Sequence, residues 1–226
     1  MEYIGFLANW FKVYNVFINH FKASPQPELP LVDLCSGNGQ AAINFYKKTN
    51  CFNGLTLTDK YPGKWPISEP GISYETQSVD VVKTEFEPGK HYTMFNAFHH
   101  FTDEDKLKIV QKIQVSGSHA LIMEIIEPNI ICLLQVLFIT TIGNLLLTPL
   151  IRPFSLKRLF FTYIIPINII TITFDGLVSV LKSRSVKQYQ KLFSNFGNAI
   201  EIVRLKNGLN PIIVIKIRPY IIVNCA

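Results

Sequence analysis

The sequence predicts an α/β fold: a mostly parallel sheet closed by an antiparallel C-terminal strand, with a hydrophobic helical insertion. Three observations predict it. The apolar run Pro30-Leu31-Val32 ends in Asp33 and turns through Gly37 and Gly39 into a helix starting near Gln40. A second apolar strand, Leu55-Thr56-Leu57-Thr58, ends in Asp59. The two signals lie about twenty residues apart, the spacing at which a nucleotide-binding βαβ unit offers a carboxylate to ribose hydroxyls. Finally, no charged residue occurs from Pro128 to Ile151, a run about as long as a membrane span.

Composition narrows the class. Only 17% of the 226 residues are charged, against roughly 25% in ordinary soluble domains. The excess apolar character is concentrated between Pro128 and Leu181. The net charge is +6, but the Lys and Arg residues are scattered or flank the apolar region. A basic stripe interleaved with aromatics, as a nucleic-acid groove requires, is absent from the sequence, so no nucleic-acid partner is expected. Cys35, Cys51, Cys132 and Cys225 show neither metal-ligand nor disulfide-framework spacing. The N-terminal stretch carries Glu2 where a signal peptide would be basic, so a reducing, cytoplasmic compartment is expected for the sheet domain.

Element by element, Glu2 to Lys22 is predicted helical, because Ile4, Leu7, Phe11, Tyr14, Ile18 and Phe21 recur at three- and four-residue steps. It is expected to pack on the domain, to act as a lid, or to touch a membrane. Ser24-Pro25-Gln26-Pro27 breaks it. Gln40 to Lys48 is the first crossover helix. The Pro- and Gly-rich stretch 60–71 leaves the second crossover short. Ile72 to Val79 is predicted as the third strand, closed by Asp80, and Tyr92 to Phe98 as the fourth. Thr102 and Asp105 cap the next helix, with Asp103 and Glu104 suiting its positive start. Ala120 to Ile126 is the fifth strand, and Glu124 and Glu127 lie at its carboxyl end, where open α/β sheets bind ligands. Glu127 either faces substrate or is solvated at the domain edge.

After the insertion, Ser185 starts a helix through Phe196. Strands 200–205 and 211–218 then flank an Asn207-Gly208 turn. The division is therefore an N-terminal helix (1–24), a sheet domain (25–127 and 182–226) and a hydrophobic insertion (128–181). Strands on either side of the insertion must join one sheet, so a single membrane crossing is excluded if the fold is complete. A two-span hairpin would carry Arg152, Lys157 and Arg158 to the outside, against the positive-inside tendency. The shorter second stretch, with Pro166 and Asp175, favours helices that lie in the interface or enter it partway. A cap over the active site, or a dimer contact, is the alternative.

The segment Asp33-Leu34-Cys35-Ser36-Gly37-Asn38-Gly39 resembles motif I of the class I S-adenosylmethionine-dependent methyltransferases, an acid-x-x-x-Gly-x-Gly pattern. A relaxed dinucleotide pattern, with Ala42 in third place, fits less well because of the leading acid. The resemblance implies a Rossmann-like sheet and S-adenosyl-L-methionine as cofactor. It implies that Gly37 and Gly39 approach the methionine part, that Asp59 binds the ribose and that Asp33 organises the loop. Asp80, or its neighbour Val81, would contact the adenine. Asn96-Ala97-Phe98-His99-His100-Phe101 matches the family's His-containing turn. Asn96 is carried over as a cofactor-binding position, and His99 or His100 as the base that takes a proton during methyl transfer. Adjacent histidines cannot both face one site, so one of them is expected to be structural.

Thr148-Pro149-Leu150-Ile151-Arg152-Pro153-Phe154, Lys157-Arg158-Leu159, Tyr163-Ile164-Ile165-Pro166 and Asp175-Gly176-Leu177-Val178-Ser179 resemble a bacterial subgroup with a hydrophobic insertion after the fifth strand. The function implied is methyl transfer to a small or lipophilic acceptor at the cytoplasmic face of the inner membrane. Rival expectations are a membrane-associated interaction protein without catalysis, another sulfonium reaction such as cyclisation, and a nicotinamide oxidoreductase.

Overall fold

Alternation within the strands puts apolar side chains on both faces of one sheet. In the computed structural model, which describes residues 13–22, 29–63, 69–152, 154–206 and 211–219, seven strands are joined in the order β3-β2-β1-β4-β5-β7-β6. They are β1 (Leu31–Asp33), β2 (Leu55–Leu57), β3 (Ile72–Tyr74), β4 (His91–Phe95), β5 (His119–Glu124), β6 (Ile200–Leu205) and β7 (Ile212–Ile217). The first five run parallel; β7 is antiparallel to both β5 and β6. The start of the predicted helix at Glu2, the Ser24–Pro27 break and the Asn207–Gly208 turn lie outside the described residues.

Odd and even positions of the central strands go to opposite cores. Leu121, Met123, Ile212 and Val214 face one side with α1 (Val13–Lys22) and α2 (Gln40–Thr49), around Phe17, Phe21 and Phe45. Ala120, Ile122, Ile213 and Ile215 face the other, against Ile109, Val110 and Ile113 of α3 (Asp103–Val115). A sheet covered on both faces needs such continuous apolar strands, which explains the run Ile212–Ile215. Thr102 caps α3, its hydroxyl accepting the Asp105 N–H.

β3 and β4 end well before their predicted limits, and β5 stops at Glu124 rather than Ile126. Beyond β3, the Glu75 carboxylate accepts the Gln77 N–H at 2.9 Å, and the Val79 N–H returns to the Asp59 carbonyl. Polar groups close to their own backbone thus divert the chain before Val79. β4 stops at Phe95 because Asn96 adopts φ +51°, outside the strand region. The chain then winds into a short 3-10 turn, Phe98–His100.

The insertion leaves the sheet after β5. Asn129 accepts the Cys132 N–H at 2.8 Å and starts α4 (Ile130–Phe138), which continues through a π-helical turn (Ile139–Gly143), α5 (Asn144–Leu147) and a last 3-10 turn to Leu150. A corner follows, fastened by Arg158, whose Nη2 donates to the Ile151 carbonyl at 2.8 Å. α6 (Leu156–Tyr163) and α7 (Ile167–Lys182) return to the sheet, bent 75° from one another. Gly176 lets α7 approach α4 closely, since a Cβ there would lie 2.7 Å from Val136 Cγ1. The predicted helix to Phe196 ends early: α8 (Val186–Leu192) opens with a Ser185/Gln188 capping box and gives way to a looser turn at Ser194.

Tyr189 of α8 lies fully buried between Phe98 and Phe193, its hydroxyl without a hydrogen-bond partner among the described residues. Tyr189→Phe should therefore leave urea stability unchanged or raise it by about 1 kcal/mol. Phe45→Ala, which empties the opposite core, should cost about 3–5 kcal/mol.

Candidate functional site

The carboxyl ends of β1, β2 and β4 meet where the strand order reverses, the position at which open α/β sheets bind ligands. A hydrogen-bonded cluster ties these ends together. The Asp33 carbonyl accepts from the Thr58 hydroxyl (2.8 Å), the Thr58 N–H (2.9 Å) and the Ser36 hydroxyl (3.1 Å). The Thr93 hydroxyl of β4 donates to Asp33 Oδ1 at 2.8 Å. Asp33 is only 2% exposed, and burial pushes its pKa up to about 7 against the opposing hydroxyls of Ser36 and Thr93. Its carboxyl lies inside the scaffold.

The glycine loop follows from this anchorage. Cys35, Gly37 and Gly39 all have positive φ (56°, 55° and 67°). At Gly39 a Cβ would also lie 2.6 Å from Leu57 Cδ1, so both backbone conformation and space require glycine. α2 starts immediately after it, at the positive end of its helix dipole, with Asn38 Oδ1 accepting the Gln40 N–H at 3.2 Å. Burial, then the charges of Asp59, Asp33 and Asp80, push the Cys35 thiol up to about 12, which disfavours the thiolate.

Asp59 stands against this loop. Its Oδ2 accepts the Gly37 N–H at 2.9 Å and its Oδ1 the Tyr61 N–H at 2.8 Å. Each oxygen keeps a second lone pair for a ligand hydroxyl. Asp80 caps its own turn, accepting the Val82 N–H at 3.2 Å, and pairs with Lys60 at 2.9 Å, which holds its carboxyl below the usual range. Asn96 serves the sheet: its N–H donates to the Met123 carbonyl at 2.7 Å and its Oδ1 accepts the Ile125 N–H at 3.4 Å.

The two histidines have separate tasks. His99 is 2% exposed, with Nδ1 at 2.6 Å from Glu124 Oε2, while Glu124 Oε1 accepts the Phe98 N–H at 2.7 Å. His99 and Glu124 thereby lock the 3-10 turn onto the end of β5. His100 is exposed, its ring 4.2 Å from that of His99, and α7 packs beside it. Partial burial and His99 pull its pKa below the ordinary value, and Asp175 of α7 and Glu124 pull the other way. Glu127 is not solvated at the domain edge: it is buried and held by Arg204 of β6 through two bonds of 3.2 and 3.1 Å. Spacing missed Thr93, which meets Asp33 only through strand pairing, and Asp175, which reaches His100 only through the return of α7.

No protein-family model matches the chain, and no curated protein matches it by sequence. Solved structures match it in fold. Human N-acetylserotonin methyltransferase in complex with SAM superposes with a TM-score of 0.53 at 16% identity, over 95% of this chain and 55% of that one. The pyocyanin biosynthetic protein PhzM gives 0.53 at 12% identity, over 91% and 56%. The S-adenosylmethionine-dependent methyltransferase SibL, in its apo form, gives 0.54 at 10%, over 95% and 58%. The chain thus spans a little over half the length of these structures. They share its fold, the Rossmann-like class I methyltransferase fold with an antiparallel C-terminal strand.

The Asp33 cluster gives a pH test. In the folded protein Asp33 binds its proton more tightly than the ordinary value of 3.8. The stability this adds is complete below about pH 4 and lost as pH rises through about 7. Urea midpoints of the parent should therefore fall, relative to Asp33→Asn, across that window.

Proposed function

We propose that this protein is an S-adenosylmethionine-dependent methyltransferase acting on a small or lipophilic acceptor at the cytoplasmic face of the inner membrane. One observation carries the reading: at the switch point of the sheet, the Asp59 carboxylate is bonded to the amide of Gly37 in a loop of left-handed glycines. A ribose acid and a close-approach loop are thus already assembled side by side. The residues fit the cofactor. Asp59 would take the ribose hydroxyls, the 37–39 backbone the methionine part, and the turn at Asp80 and Val81 the adenine edge. When bound, the cofactor supplies an electrophilic methyl group on a sulfonium.

The chain's own contribution is positioning and a proton acceptor. His100 is accessible beside the carboxyl end of β4, and its lowered pKa keeps the imidazole neutral near neutrality, the form that accepts a proton from a hydroxyl, thiol or acidic carbon. His99 acts through the fold by holding the turn that carries His100. The fold of the solved methyltransferases agrees with this reading.

Calorimetric titration of detergent-solubilised protein with S-adenosylmethionine should show binding that weakens at least tenfold in Asp59→Ala. A folded parent that binds NADH and ignores S-adenosylmethionine would overturn the reading in favour of an oxidoreductase. With an acceptor found by screening, His100→Ala should lower kcat by about 10²–10⁴-fold while cofactor affinity stays the same. His99→Ala should instead lower the melting temperature, because Glu124 is left buried without its partner.

A further inference from the structure

The polarity of the insertion is inverted relative to the rest of the molecule. The sheet domain buries apolar side chains, as water requires. Among the described residues of the insertion, by contrast, four of the seven buried side chains are polar, Thr140, Asn144, Thr148 and Thr162, beside Cys132, Ile151 and Val180. The polar ones bond to one another and to backbone: Thr148 Oγ1 donates to Asn144 Oδ1 at 2.7 Å, Asn168 Nδ2 to Thr162 Oγ1 at 3.2 Å, and Thr162 Oγ1 to the Arg158 carbonyl at 2.8 Å. The outside is apolar. Among the described residues, every exposed large hydrophobic side chain except Tyr61 and Val115 lies between Ile130 and Leu181, with Leu146 69% and Ile170 63% exposed. A polar seam inside an apolar shell is stable where the surrounding medium is hydrocarbon.

Dimensions set how deep the shell goes. Asp175 is the only carboxylate between residues 128 and 181. It is exposed, on a helix that packs against the Phe98–His100 turn at the ligand end of the sheet, which sets that stretch of α7 beside the domain. Its neighbour Gly176 packs on Val136 and Thr140, which fixes the same level on the α4 side. Beyond it, the first helix continues only to Leu150 and α7 only back to Ile167, about 12–21 Å at 1.5 Å per residue. A hydrocarbon core is about 30 Å thick, so the protruding part cannot cross it. Standing upright, the insertion would carry exposed Arg152 and Lys157 towards the bilayer midplane, where charge is strongly disfavoured. Lying obliquely, it brings that basic corner, and Lys182 at the other end, to the phosphate layer.

We propose that the insertion is seated in a single leaflet of an anionic bilayer, lying obliquely, with its apolar shell in the acyl region and its two charged ends at the headgroups. This seat brings the exposed His100, whose turn packs against α7, close to the lipid boundary, within reach of an acceptor dissolved in the leaflet. The proposal deepens the membrane placement in the function proposed above, and none of its tests depends on methyl transfer.

The test uses the full chain with vesicles of phosphatidylcholine, with and without phosphatidylglycerol. The parent should float with the vesicles, severalfold more completely with phosphatidylglycerol, and Leu146→Glu/Ile170→Glu should lose flotation with an unchanged melting temperature, since both side chains are exposed. In a background whose native cysteines are serine, Leu146→Cys and Ile170→Cys carrying an environment-sensitive fluorophore should be quenched more by lipids brominated near the headgroup than near the chain end. Arg152→Cys should react with an impermeant maleimide from outside sealed vesicles. Reaction only from the lumen would overturn the proposal in favour of a two-span hairpin. A parent that stays at the bottom of the gradient and sediments as a dimer would overturn it in favour of a second copy covering the shell.

Discussion

The end of the central strand β1 holds this structure in order. There a single buried carboxyl-bearing residue, Asp33, joins three strands: its carbonyl takes the Thr58 hydroxyl and amide from the end of β2, and its carboxyl takes the Thr93 hydroxyl from β4. Once these ends are level, the loop has no freedom left except through left-handed backbone at Cys35, Gly37 and Gly39. The start of α2 and the bond from Gly37 to Asp59 then follow. A buried acid is costly in isolation. Here its lone pairs are used to set the spacing on which any ligand at the strand ends depends.

This much was legible in the sequence because the responsible signals are local. An acid, two glycines and an apolar strand lie within ten residues of one another, and the capping residues Thr102 and Ser185 announce helices that begin immediately after them. What stayed hidden depends on pairs that the fold alone unites. Glu127 reads as a surface acid until Arg204 arrives from β6, and Glu124 reads as a ligand-end carboxylate until His99 closes on it. The left-handed backbone of Asn96 and its bond to Ile125, which fasten β4 to β5, have no signature in the sequence either. The length of β3 was overestimated because alternation continues past Tyr74, whereas Glu75 and Gln77 turn the backbone upon itself.

The two halves of the site are supported by different parts of the chain. The glycine loop and Asp59 rest on the first three strands; the histidine turn rests on β5 and is flanked by the insertion. Both roots of the insertion are pinned by forked Arg–carboxylate pairs, Glu127 to Arg204 near its start and Asp103 to Arg184 near its end, the latter at 3.3 and 3.1 Å. Two such forks fix orientation as well as distance. Both ends of the insertion are thus tied to the sheet domain, and α7 packs beside the turn that carries His100.

The strand order also bears on how the chain comes to be made. β7, whose residues Ile212 to Ile215 are entirely buried, lies between β5 and β6 yet follows the insertion in sequence. During synthesis from the N-terminus, β5 must wait with one edge unpaired while the most apolar stretch of the chain emerges next to it. An open edge beside exposed hydrocarbon is the situation in which strands pair with the wrong neighbour. The nascent chain, before β7 closes that edge, is thus the state most in need of a chaperone or a nearby lipid surface.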